Sequence, residues 1–189
     1  MPRLTETQDR VIEIVLIVLF FLLLRNANPM PPSNDLRALW MAGRFFDEGA
    51  DGIYAVSADF FRMVPPDIWI TTFVAEGIEQ PSYPFIYPPL WAWIMYQIVA
   101  ITSFEQFASV MAVVNAAAVV GCFYLASRMA RDHLPRTAYM GVVLFIIFGL
   151  GCLVVDLPLA ENQPQILVAF LVLLGVERDR AGHSWAGGA

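Results

Sequence analysis

A chain of 189 residues that is 58% hydrophobic and only 15% charged falls outside the usual soluble range of about 45–50% apolar and about 25% charged, and it reads as a polytopic membrane protein. Its net charge of −6 excludes a nucleic-acid binder, whose surface has to be basic to neutralise phosphates. Cys122 and Cys152 lie in separate apolar runs, and His133 and His183 stand alone, so neither a disulfide framework nor a metal site is expected.

The first element is the apolar run Val11 to Leu24, interrupted only by Glu13 and flanked by Arg10 and Arg25. With flanks that snorkel to the interface it approaches the roughly 20 residues a bilayer requires. Arg25 directly after the run, and no small-x-small site, favour an uncleaved anchor over residues 11–25 rather than a signal peptide.

Residues 26–84 form a long connection that holds eight of the seventeen acids. It is too rich in aromatics for a disordered linker. Asp35 is placed to cap a helix running to about Asp47, with Leu36, Leu39, Trp40, Gly43 and Phe46 near one face. The expectation is a helix lying on the membrane surface. A second short helix is expected after Pro65-Pro66, since proline suits a first turn.

Residues 85–180 carry four further hydrophobic helices. These are Leu90 to Thr102 with its approach, Phe104 to Met129, Tyr139 to Val155, and Ile166 to Val176 with its flanks. The expected fold class is therefore all-α: a polytopic transmembrane bundle of about five spans, a single membrane domain, with amphipathic surface helices in a long first extracytoplasmic loop. Sidedness conflicts with that count. Arginines in short loops mark the cytoplasmic side, so Arg3 and Arg10 are inside and the acidic loop outside. Five crossings then put Arg128, Arg131, Arg136, Arg178 and Arg180 outside. Either one segment between Phe85 and Met129 fails to cross, or another constraint overrides the charges.

Several residues are candidates for chemistry. Asp35 could accept the proton of an acceptor hydroxyl or simply cap its helix. Asp47-Glu48 are unfavourable with a helix C-terminus, and either bind a ligand or face solvent in a turn. Arg44 could pair with a phosphate or with Glu48. Arg62 is a further loop cation. Tyr83-Pro84-Phe85-Ile86-Tyr87-Pro88-Pro89-Leu90-Trp91 makes a rigid aromatic entry to the second hydrophobic segment. Asn115, Asp156 and Glu161-Asn162-Gln163-Pro164-Gln165 are polar groups in or beside apolar runs, where they act as interhelical hydrogen-bonding groups or as functional sites.

The order of these features resembles the N-terminal half of integral-membrane GT-C glycosyltransferases, in particular the family 87, polyprenol-phosphate-mannose-dependent group. The likeness rests on the anchor followed by Asp35-Leu36-Arg37-Ala38-Leu39-Trp40-Met41-Ala42-Gly43, on Gly52-Ile53-Tyr54, on Phe85-Ile86-Tyr87-Pro88-Pro89-Leu90, on Asn115, and on Asn162-Gln163-Pro164-Gln165. It implies transfer of a sugar from a polyprenyl-phosphate donor to an envelope glycolipid or glycan in the bacterial inner membrane. Asp35 would be the base; Arg44, Tyr54, Tyr87, Pro88, Asn115, Asn162 and Gln163 would contact substrate; no cofactor or metal is required. The chain departs from the family in having Asn162-Gln163 for Gly-Gln, a longer stretch from Tyr54 to Tyr87, and about half the length. It is therefore expected to be a part of such an enzyme, with a second chain supplying missing helices, or a non-catalytic membrane subunit that keeps part of the fold. A transporter or channel fragment would want paired intramembrane charges or broken repeated helices, and the sequence offers neither.

Overall fold

The computed structural model describes residue 11, residues 14–15, 17–22, 33–54, 64–77, 82–129 and 161–183. The protein is all-helical, and the described residues contain no strand. They hold α1 (Asn34–Arg44), a 3-10 turn (Phe46–Glu48), α2 (Gly49–Tyr54), α3 (Asp67–Ala75), α4 (Pro89–Val99), α5 (Phe104–Met129) and α6 (Gln165–Arg180). The described residues among 11–22 are helical as well. The chain forms two compact units, one of Met30–Met111 and one of Met1–Pro29 with Ala112–Ala189.

In the Met30–Met111 unit, α1 begins at Ser33, whose Oγ accepts the Leu36 amide at 3.1 Å. Asp35 is therefore not the cap; it occupies the first turn, where a carboxylate opposes the positive end of the helix dipole. The helix ends at Arg44, earlier than Asp47, because Phe45 leaves helical geometry and a 3-10 turn follows. It is also not a surface helix. Every residue from Leu36 to Gly43 is buried, Arg37 included. Its small residues Ala38, Ala42 and Gly43 admit close neighbours; a Cβ on Gly43 would lie 2.7 Å from Met95.

α1 and α4 pack antiparallel. Arg37 lies against Phe104 just beyond the end of α4, Gly43 against Met95, and, past the end of α1, Tyr54 against Tyr87. As the first number rises the second falls. The core of this unit gathers Leu36, Leu39, Met41, Trp69, Phe85, Ala92 and Met95, all almost fully buried. Trp69, from the α3 that follows Pro65-Pro66, is wholly buried and donates its indole N–H to the Gly52 carbonyl at 2.9 Å.

α4 starts at Pro89, with Pro88 as its N-cap, and has 11 residues. At 1.5 Å per residue it is about 16 Å long, short of the ~30 Å hydrocarbon thickness. The second expected span is thus too short to cross as a helix. The apolar run from Phe85 to Thr102 is divided instead: Ser82–Tyr87 is non-helical and only Pro89–Val99 coils. α5, in contrast, coincides with the expected third segment. It opens with a capping box, in which the Ser103 amide donates to Gln106 Oε1 and the Gln106 amide to Ser103 Oγ. Phe104–Ala126 is the one described helix long and apolar enough to cross a membrane, with a mean hydropathy of 1.9.

In the other unit, α5 and α6 run parallel. Asn115 meets Asn162, Gly121 meets Phe170, Arg128 meets Glu177, and Met129 meets Arg180, so both numbers rise together. Phe20, Ala116, Val119, Val120 and Ile166 form a second, smaller core. The expected span Tyr139 to Val155, with Arg62, His133, Cys152 and Asp156, lies outside the described residues.

Candidate functional site

Charged and aromatic side chains converge on a groove of about 250 Å³ in the Met30–Met111 unit, lined by Arg37, Trp40, Met41, Arg44, Phe73, Glu76, Phe104 and Glu105. α1 supplies its floor. Arg37, Trp40, Met41 and Arg44 stand at i, i+3, i+4 and i+7, one face of a helix. α3 contributes Phe73 and its C-cap Glu76, and the start of α5 contributes Phe104 and Glu105.

Both cations in the groove are oriented by neighbours. The Arg37 guanidinium lies 5.4 Å from the Phe104 ring centre, a cation–π distance. Burial pulls its pKa below the ordinary arginine value, and the nearby Glu105 carboxylate opposes that fall. Arg44 grips Glu76 through both ends of its fork, at 2.9 and 2.7 Å. The hydrogen bond from Arg44 holds the Glu76 carboxyl below its usual range, helped by the guanidinium's charge and opposed by burial. Arg44 therefore pairs with Glu76 and not with Glu48. Trp40 stacks edge-on to Phe104 with centroids 5.8 Å apart, completing an aromatic wall.

Asp35 does not line this groove. It precedes Arg37 by two residues, about 200° around the helix, and is half-buried on the opposite side. Nor does it meet the tyrosine-proline element. The Tyr54 hydroxyl donates to the Tyr87 carbonyl at 2.9 Å, and burial raises the Tyr54 pKa, keeping that donor protonated. Phe85 lies between the two tyrosine rings, at 5.4 and 5.6 Å. This pins the approach to Pro88 at the far end of the antiparallel pair. From Asp35 to Gly43 is about 12 Å, and from Met95 back to Pro89 about 9 Å, along the helices. Asp35 and the Tyr87-Pro88 element at the start of α4 are thus on the order of 20 Å apart along that axis. The acid pair splits too: Asp47 hydrogen-bonds Tyr96, while Glu48 packs beside Gly52.

In the other unit, Asn115 and Asn162 come together as a buried pair, Asn115 Nδ2 donating to Asn162 Oδ1 at 2.8 Å. Asn162 adopts φ 51°, a left-handed conformation that asparagine tolerates better than most side chains. Gln163 is half-buried in the same turn before α6. His183 is exposed at the end of α6.

Sequence reasoning missed Arg37, Glu76 and Glu105 as groove residues. The seven-residue spacing of Arg37 and Arg44 puts both on one helix face, and that signal was available. Nothing local linked either to Glu76, 32 residues after Arg44. No family model matches the chain, and no curated protein or solved structure matches it.

Proposed function

We propose that this chain is a multi-pass protein of the bacterial inner membrane, and that it forms part of a glycosyltransferase using a polyprenyl-phosphate sugar donor. The observation that carries the reading is the groove, where two arginines converge between aromatic walls. A guanidinium pair matches a phosphate, and Trp40 and Phe104 offer apolar faces to a sugar or prenyl chain. Membrane residence is supported by the apolar helix Phe104–Ala126 and by exposed apolar side chains such as Val110, Val113, Leu171 and Val172. About four or five crossings follow from the hydrophobic segments.

The groove's acids then take the chemical role. Both Glu76 oxygens are taken by the Arg44 fork, so Glu105, the other acid lining the groove, is the proposed base. It would take the proton of an acceptor hydroxyl as that oxygen bonds to the sugar's anomeric carbon. The bond from that carbon to the phosphate oxygen breaks, and the departing lipid phosphate keeps the electron pair beside Arg37 and Arg44.

A second reading, a non-catalytic membrane subunit, is favoured by one feature: each groove arginine has an acid of its own, Glu105 near Arg37 and Glu76 on Arg44. Radiolabelled polyprenyl-phosphate sugar, presented to the protein in lipid nanodiscs with envelope glycan acceptor, separates the two. Transfer lost in Glu105→Gln and retained in Asp35→Asn supports the groove chemistry. Transfer lost only in Asp35→Asn moves the base to the other face of α1. Donor binding weakened by Arg37→Ala, with no transfer by the parent protein, supports the subunit. Absence of donor binding by the parent protein removes both readings.

A further inference from the structure

The parallel pairing of α5 and α6 has a consequence for sidedness. The chain leaves α5 at Met129, beside Arg180, and re-enters the pair at Asn162, beside Asn115. Along α5 those two points are about 21 Å apart, fourteen residues from Asn115 to Met129 at 1.5 Å each. The ends of both helices carry the arginines. Arg128 bonds Glu177 at 2.9 Å, Arg180 donates to the Met129 and Arg128 carbonyls at 3.1 and 3.4 Å, and Arg178 is exposed in the last turn of α6. The two Arg180 bonds cap the carbonyl end of α5, and the Arg128–Glu177 pair ties the ends of the two helices to one level.

We propose that α5 crosses the bilayer with α6 packed parallel beside it, and that their shared end presents Arg128, Arg178 and Arg180 to the anionic cytoplasmic leaflet. The inference rests on membrane residence as read above, not on sugar transfer. Positive charge beside a span favours the cytoplasmic face, where anionic headgroups attract it. What opposed that placement was a crossing assigned to the segment before α5. At about 16 Å, α4 is too short to supply it. With that crossing removed, Arg3 and Arg10 share a side with Arg128, Arg131, Arg136, Arg178 and Arg180. The acidic stretch between the anchor and α5 stays on the other side. The polar turn at Asn162, at the opposite end of α6 from its arginines, then faces the outer side.

Two positions decide it. Ala100, exposed in the turn before α5, and His183, exposed after α6, are each replaced by cysteine in the full chain carrying Cys122→Ala and Cys152→Ala. Intact cells are treated with a membrane-impermeant maleimide. Ala100→Cys is labelled directly, and His183→Cys only after permeabilisation. Labelling of His183→Cys in intact cells, or protection of Ala100→Cys there, overturns the proposal. Alkaline carbonate extraction of the same cells tests the premise separately. Release of the chain into the supernatant removes membrane residence itself, whereas retention with the wrong labelling pattern removes only the orientation.

Discussion

Arg44 shows how one side chain's partner is decided by where its helix stops. An arginine with a glutamate four residues on is a favourable pair while the helix continues. Here the helix ends at Arg44 and a 3-10 turn carries Glu48 away, so the fork closes on Glu76, delivered by another helix. The pKa of Glu76 is lower in the folded protein than its ordinary value, chiefly through the hydrogen bond from Arg44. A depressed carboxyl pKa gives stability that is fully present above the unfolded value, about 4.3 for glutamate, and is lost as pH falls through the folded value. The two side chains are 33% and 40% exposed, so solvent screening keeps the contribution to at most about 1 kcal/mol. Thermal melts from pH 7 to pH 3 should show Glu76→Gln slightly less stable than the parent at neutral pH and converging with it in acid. A constant gap across that range would mean that the ion pair is not what the substitution removes.

Elements meet closely in this protein because small residues sit where helices cross. In the Met30–Met111 unit Gly43 meets Met95, where an added Cβ would lie 2.7 Å from the Met95 carbonyl carbon and Cβ. A backbone neighbour cannot rotate away, so Gly43→Ala has to separate α1 from α4. Overpacking of this kind costs typically about 1–3 kcal/mol, more than the up to ~1 kcal/mol that alanine gains in helix propensity. The expected result is a lowered melting temperature in detergent; an unchanged or raised one would show that α1 and α4 can part without loss. The same close packing limits what the sequence discloses. Helix starts were legible because proline and capping residues act locally: Pro65-Pro66 precedes α3, Pro88-Pro89 opens α4, and Asn115 and Asn162 stood out as polar groups in apolar runs. Ser33 was overlooked because Asp35, two residues later, is an equally good cap by type. The burial of α1 was hidden, since the five larger or apolar residues on one stripe read as amphipathic, while Ala38 and Ala42 become buried only when the unit packs around them. The end of the second hydrophobic segment was misjudged for a different reason. Hydropathy sums Phe85 to Thr102 as one run and does not register that Tyr54 holds the Tyr87 backbone out of any helix. The groove was the least legible part, because Glu76 and Phe73 reach it through a contact distant in sequence.

For the molecule as a whole, the division into two units makes a claim about cooperativity. The core around Leu36, Leu39, Trp69 and Met95 shares no residue with the core around Phe20, Val119 and Ile166. Each is closed by its own polar ties, Trp69 to Gly52 and Arg44 to Glu76 in one, Asn115 to Asn162 and Arg128 to Glu177 in the other. Stability in such a chain is distributed, with separate openings drawn from separate sets of contacts. Leu39 is 1% exposed, and truncating a buried leucine to alanine costs about 2–5 kcal/mol. Leu39→Ala should therefore raise amide hydrogen exchange across α1, α3 and α4 by the factor that such a loss implies, more than tenfold at 1.4 kcal/mol per decade. The amides of α6, which with the turn before it is tied to Asn115, Arg128 and Met129 of the other unit, should keep their parent rates. A matching rise in α6 would show that α5, which belongs to both units, transmits the loss and makes one cooperative block of the two. The Asn115–Asn162 bond would then be the tie through which that transmission reaches α6, since it is the contact nearest the start of both Ala112–Met129 and Gln165–Arg180.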